Sequence, residues 1–213
     1  MSDPIAIDGR RLGRRAQETR RRLLDATEQL LAVKGLRDLT VVEIARQVGT
    51  SPASFYQYFQ NVDEAVLALS EEVGAELDDL GALVDKPWRG RQGYLACREL
   101  VERFIGYWDD NRAVLRIRDL AAQEGDERFR VVRNQSLSMI TDRLTEKVAE
   151  AQAAGRVPPE IKPYAAASAM VAMMGRMAAY HRTLEPIGSF TADDMVETVA
   201  HIVYQTVTGR APR

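Results

Sequence analysis

The 213-residue sequence predicts an all-α protein, because its apolar residues recur at helical spacing throughout and no stretch alternates like a strand. Helix-opening and helix-closing residues bracket most of these periodic runs, which divides the chain into about nine helices. The first run places Leu23, Leu24, Thr27, Leu30 and Leu31 on one face and closes at Gly35. The second opens at Thr40, where Glu43 completes a capping box, and buries Ile44, Ala45 and Val48. After Gly49, Ser51 is a suitable N-cap with Pro52 at the first helical position, starting a third helix that reaches about Phe59. Asn61 caps a fourth helix expected to run to about Leu83. Five more are expected at about 94–110, 111–124, 127–154, 161–182 and 191–208.

Bulk properties narrow the function. Net charge is only −2, but the first 60 residues carry +3 and the remainder −5. A basic end on an acidic body suggests one localised site for a polyanion rather than a general coat of nucleic acid. Cys97 is the single cysteine, so neither an internal disulfide nor a cysteine zinc cluster is expected, which fits a cytoplasmic setting. No secretory signal is recognisable, and the run Ala165–Ala179 is too short and interrupted to span a bilayer. The sequence also lacks a phosphate-binding Gly loop, an H-E-x-x-H and a G-x-S-x-G, so neither a cofactor nor enzyme chemistry is expected.

Residues 40–59 carry the strongest functional pattern. Two short helices around Gly49 cannot be stable alone, and must share a core built from Leu30, Leu31, Leu39, Ile44, Val48, Phe55 and Phe59. Burying that core turns Ser51, Ser54, Gln57 and Tyr58 outward, with Tyr56 at the edge. A helix that begins with small residues can enter the major groove of duplex DNA, ~12 Å wide. The hydroxyls of Thr40, Ser54, Tyr56 and Tyr58 suit phosphate contacts, and Gln57 suits a base edge.

The pattern T-x-x-x-I-A-x-x-x-G-x-S-x-x-S-F-Y-x-Y-F resembles the DNA-binding signature of the TetR family of regulators, over about residues 20–67. The resemblance implies phosphate contacts from Thr40, Ser54, Tyr56 and Tyr58, and places Ser51, Pro52, Ala53, Gln57 and Val42 nearest the bases. Two positions depart from the family pattern. Val62 replaces a lysine, which removes one phosphate contact, and Ala53 replaces a glycine. Positive charge from the Arg-rich start is expected to compensate, with Arg20, Arg21 and Arg22 assigned to DNA. The role of Arg10–Arg15 stays open. The domain organisation expected is a flexible arm over 1–19, a helix-turn-helix domain over 20–66 and an effector-binding and dimerisation domain over 67–213.

In that last domain, Met and aromatic residues form apolar stripes that suit either plain core or a ligand wall. The resemblance favours an apolar effector held by Phe104, Trp108, Met139, Met174 and Met177, with Arg118 or Arg176 as polar anchors. The last two helices suit a two-fold dimer interface, through Ala165, Ala166, Ala169 and Ala172 and the stripe Val196, Val199, Ala200, Val203 and Val207. His181 and His201 are too isolated for a metal site. The reading reached is a homodimeric regulator of a palindromic DNA operator, most simply a repressor released by an effector. Its alternatives are a ligand-independent DNA-binding dimer or activator and, third, a helical enzyme.

Overall fold

A computed structural model describes residues 13–36 and 38–211. Among these the regular structure is helical throughout: α1 (Arg14–Lys34), α2 (Val41–Val48), α3 (Pro52–Phe55), α4 (Val62–Ala75), α5 (Asp78–Asp85), α6 (Gly90–Asp110), α7 (Arg112–Gln123), α8 (Glu127–Ala153), α9 (Pro163–Gly188) and α10 (Ala192–Thr208). The all-α expectation holds. Several boundaries move, each for a local reason.

The helix expected over Asn61–Leu83 is two helices, because the chain tightens to i→i+3 bonds at Leu77 N–H to the Gly74 carbonyl (3.3 Å) and Leu80 N–H to the Leu77 carbonyl (3.1 Å). The third helix stops at Phe55 rather than Phe59, since Gln57 and Tyr58 donate to Ser54 and Phe55 three residues back. At the other end of the chain, α9 continues past Arg182 to Gly188 and carries Pro186 inside its last turns. Residues 14–19 are helical, so the arm expected over 1–19 is corrected: α1 already begins at Arg14. Arg10 and Arg11 lie outside the described residues.

The chain forms two compact units, one of Met1–Val73 with Arg112–Arg133 and one of Gly74–Asn111 with Asn134–Arg213. This differs from a division near residue 66, because α7 packs on α1 and belongs with the N-terminal unit. In the first unit, α1 also packs on α2, and α2 on α3. Leu23, Leu24, Ile44, Ala45, Phe55, Val114 and Leu115 are fully buried there. Their removal from water supplies the main stabilising term, at ~25 cal/mol per Å² of apolar surface.

The second unit is organised around α6, which packs against α5, α9 and α10. Its apolar face, Tyr94, Cys97, Val101, Phe104, Ile105 and Trp108, is buried as its spacing predicts. The Cys97 thiol lies 3.5 Å from the Ala200 carbonyl, and burial pushes its pKa up to about 12, which leaves it unreactive. Trp88 stacks on Tyr204 (6.4 Å between centroids) and donates its indole N–H to the Leu83 carbonyl (3.1 Å).

Gly93 marks a close backbone approach in this unit. A Cβ there would lie 2.3 Å from the Trp88 carbonyl carbon and 2.4 Å from its Cα. Gly93→Ala is therefore expected to destabilise the protein by about 2 kcal/mol or more in urea unfolding, as overpacking against rigid backbone does. A gain of about 1 kcal/mol, the usual return for replacing glycine inside a helix, would contradict this packing.

Candidate nucleic-acid interface

The segment from Thr40 to Phe59 is held by local hydrogen bonds that the sequence specifies at three-residue spacing. Thr40 Oγ1 accepts from Glu43 N–H (3.3 Å), and the Glu43 carboxylate accepts from the Thr40 N–H (3.2 Å) and hydroxyl (3.0 Å). Gly49 turns the chain in the left-handed region (φ 75°, ψ 36°), a conformation that a residue with a Cβ adopts only with strain. Its neighbour Thr50 donates back to the Ala45 carbonyl (2.9 Å). Ser51 Oγ then accepts from Ser54 N–H (3.2 Å), with Pro52 as the first helical residue.

Phe55 is the pivot of α3. It is fully buried, 5.4 Å from Phe59 between ring centroids, and it forces the opposite side of a four-residue helix into solvent. Ser51, Pro52, Ala53, Tyr56 and Gln57 are exposed, while Ser54 and Tyr58 are half-buried. Val42, on the neighbouring helix, is 60% exposed for an apolar residue. The structure thus brings the sequence-derived set together on the α2–turn–α3 surface. Thr40 belongs to the set by position, but both of its donors are held by Glu43.

The arginines are distributed differently from expectation. Arg20 donates to Glu72 (3.0 Å) and lies over the Phe59 ring (5.3 Å), and Arg21 pairs with both Asp25 and Glu72 (2.7 Å each). Glu72 bonds to both and ties α1 to α4, and with Asp25 it balances their two charges, so neither is the free cation that the expected role at DNA supposed. Arg22 donates to the Val48 carbonyl at the end of α2 (2.6 Å), where a cation suits the helix C-terminus. It also lines a polar cleft of about 400 Å³ with Arg15 and Thr19 of α1, Thr50 of the turn, Ser54 and Tyr58. Arg15, Thr19 and Thr50 were not among the candidate site residues. The spacing of 15, 19 and 22 puts them on one helical face, a signal that exists only because α1 begins as early as Arg14.

In the second unit, Phe104, Trp108 and Met174 of the expected effector wall are buried, and Met139 and Met177 are half-buried. A Cβ on Gly81 would lie 3.1 Å from the Met139 sulfur, so α5 covers that side chain. The two polar anchors are corrected. Arg176 is exposed and lies over the Tyr180 ring (3.7 Å), on the outer side of α9. Arg118 belongs to the first unit, where it is buried and pairs with Asp119 (2.9 Å).

The dimer assignment is corrected in part as well. Val196, Val199, Ala200, Val203 and Val207 are buried within one chain, since α10 lays this stripe against α6 and α9. The outward faces are instead Ala165, Ala169, Ala172 and Tyr180 on α9, with Thr198, Ile202 and Gln205 on α10; Ala166 is half-buried. His181 is also buried, 3.3 Å from the Asp109 carboxylate and 3.0 Å from the Ala178 carbonyl. Among the described residues no group of three His, Cys, Asp or Glu side chains could hold a metal ion, and no helix is long and apolar enough to cross a membrane.

Glu43 connects the interface to pH. Its hydrogen bond with Lys34 lowers its pKa most, followed by that with Thr40. A depressed carboxylate contributes stability above its unfolded pKa and loses it as pH falls through the folded one. Glu43→Gln is therefore expected to flatten part of the acid limb of a stability–pH profile below the ordinary carboxylate range. An unchanged acid limb would show that the capping box contributes nothing there.

Comparison with known proteins agrees with this geometry. A family model for bacterial regulatory proteins of the tetR family matches residues 23–69, and one for the tetracyclin repressor-like C-terminal domain matches 78–213. An uncharacterized HTH-type transcriptional regulator of Haemophilus influenzae is 29% identical over 133 residues, which cover 62% of this chain and 64% of that relative. The fatty acid degradation regulator FadR of Bacillus halodurans has the same fold, with a TM-score of 0.67 at 16% identity over 94% of this chain and all of that one. SmeT, solved as a triclosan complex, superposes with a TM-score of 0.62 at 18% identity over 90% of each chain. The protein belongs to the tetR family of bacterial regulatory proteins, a family of regulators rather than enzymes.

Proposed function

We propose that the protein is a sequence-specific DNA-binding transcriptional regulator that acts as a homodimer on a palindromic operator in the bacterial cytoplasm. One observation carries this reading: burial of Phe55 and Phe59 leaves Ser51, Pro52, Ala53 and Gln57 outward on α3 and the turn after it, a segment small enough to enter a major groove. Gln57 is the residue of that face able to make a bidentate contact with adenine. Ser54, Tyr56 and Tyr58 flank it with hydroxyls for the phosphate backbone.

Repression relieved by a small molecule is the mode we favour, supported by the repressor-like description of the C-terminal domain and by the triclosan complex of SmeT. Phe104, Trp108, Met139, Met174 and Met177 offer deformable apolar surface for such an effector. Relief would follow from preferential binding of the effector to the DNA-free state, by a coupling of typically ~1–3 kcal/mol. Dimerisation would use the exposed Ala165–Ala169–Ala172 face of α9, where small side chains allow close helix approach, beside Ile202 of α10.

Selection of bound duplexes from a random library is expected to return two half-sites about 10–10.5 base pairs apart, and Gln57→Ala to alter the preferred base at one position in each half-site. Recovery of no specific duplex would refute the reading. Ala169→Arg is expected to yield a monomer in sedimentation and to weaken operator binding at least ~10-fold, because both half-sites no longer bind together. A dimer that survives this substitution would place the interface elsewhere.

A further inference from the structure

We propose that the polar cleft between α1 and the α2–α3 turn is a clamp for one backbone phosphate of the duplex, with Arg15 and Arg22 as its two cations. The proposal rests on the regulator reading, and adds to Arg22, Ser54 and Tyr58 the residues Arg15 and Thr50, which the motif does not assign. On α1, Arg15, Thr19 and Arg22 stand at i, i+4 and i+7 and so share a face that looks onto Thr50 and Ser54. The opening of about 400 Å³ admits a phosphodiester together with bridging water.

The charge pattern within the first unit points to this cleft. Arg20 and Arg21 are engaged by Glu72 and Asp25, two carboxylates for two guanidiniums. Helix α4 opens with Val62, Asp63 and Glu64 and offers no cation at all. Arg15, by contrast, pairs with no carboxylate among the described residues. Arg22 is held in place by one nitrogen on the Val48 carbonyl (2.6 Å), which orients the rest of its guanidinium toward the cleft. A guanidinium fork matches phosphate geometry, and the Thr50, Ser54 and Tyr58 hydroxyls can complete the oxygen contacts.

Ser54 and Tyr58 belong both to the cleft and to α3 and its following turn, so a phosphate seated there would set the register of Gln57 against the bases. Thr19 contributes wall rather than a donor, since its hydroxyl is bonded to the Arg15 carbonyl (3.0 Å). Among the described residues Glu18 is the one anion on the rim, and it lies 3.5 Å from Arg14. It opposes the phosphate and should limit affinity.

The test is fluorescence anisotropy over a KCl series, using a duplex selected by the wild-type chain and a scrambled duplex of equal length. Arg15→Gln is expected to weaken both duplexes about tenfold at low salt and to make the slope of log K against log salt shallower by about one per subunit. Glu18→Gln is expected to tighten both, while Arg103→Gln, on α6, should leave slope and affinity at wild-type values. Helical content by circular dichroism checks that each variant folds. A wild-type slope in Arg15→Gln would overturn the clamp and leave the regulator reading intact; failure of the wild-type chain to bind any duplex would overturn both.

Discussion

Everything distinctive about the N-terminal unit depends on burying Phe55, with Phe59 beside it, in the core that also takes in Ile44, Ala45, Leu23 and Leu24. A helix of four residues makes almost no hydrogen bonds of its own, and nucleation of so short a segment is unfavourable in water. It exists because one aromatic side chain is removed from solvent and because Ser51, Pro52 and Gly49 set the backbone before and after the turn. The polar surface of α3 is the geometric complement of that burial. A substitution that loosened Phe55 would therefore act on recognition and on stability together.

Electrostatics refine what packing starts. Seven arginines precede residue 23, yet their number says little about their use. Glu72 takes two of them, and Arg20 is further held over the Phe59 ring, so these charges serve to join α1 to α4. Ion pairs of this partly exposed kind contribute ~0–1 kcal/mol each. Their larger effect is to occupy Arg20 and Arg21, whereas Arg15 and Arg22 pair with no carboxylate among the described residues.

How much was legible in the sequence follows from the range of each interaction. The capping box at Thr40, the turn at Gly49 and the Ser51 cap are closed within three or four residues, so residue type and spacing specify them. The apolar face of α6 was equally plain. Partnerships across the chain were not: Glu72 lies 51 and 52 residues from the arginines it binds, and nothing local marks it as their partner. The valine stripe of α10 shows the same limit from the apolar side. Periodicity says that Val199 and Val203 must be covered, but not whether a partner chain or α6 covers them. Arg176 and Arg118 show a different limit: their partners Tyr180 and Asp119 are only four residues and one residue away, but nothing local marks that Arg176 faces outward or that Arg118 is buried in the first unit.

Methylation interference on a bound duplex reads whether the outward side of α3 meets base edges in the major groove. Guanine N7 lies in that groove, so interference is expected at guanines in two clusters about one helical turn apart, on the same face of the duplex. Binding that tolerates methylation of every guanine N7 in both half-sites, but is lost when minor-groove edges are blocked, would contradict that placement of α3.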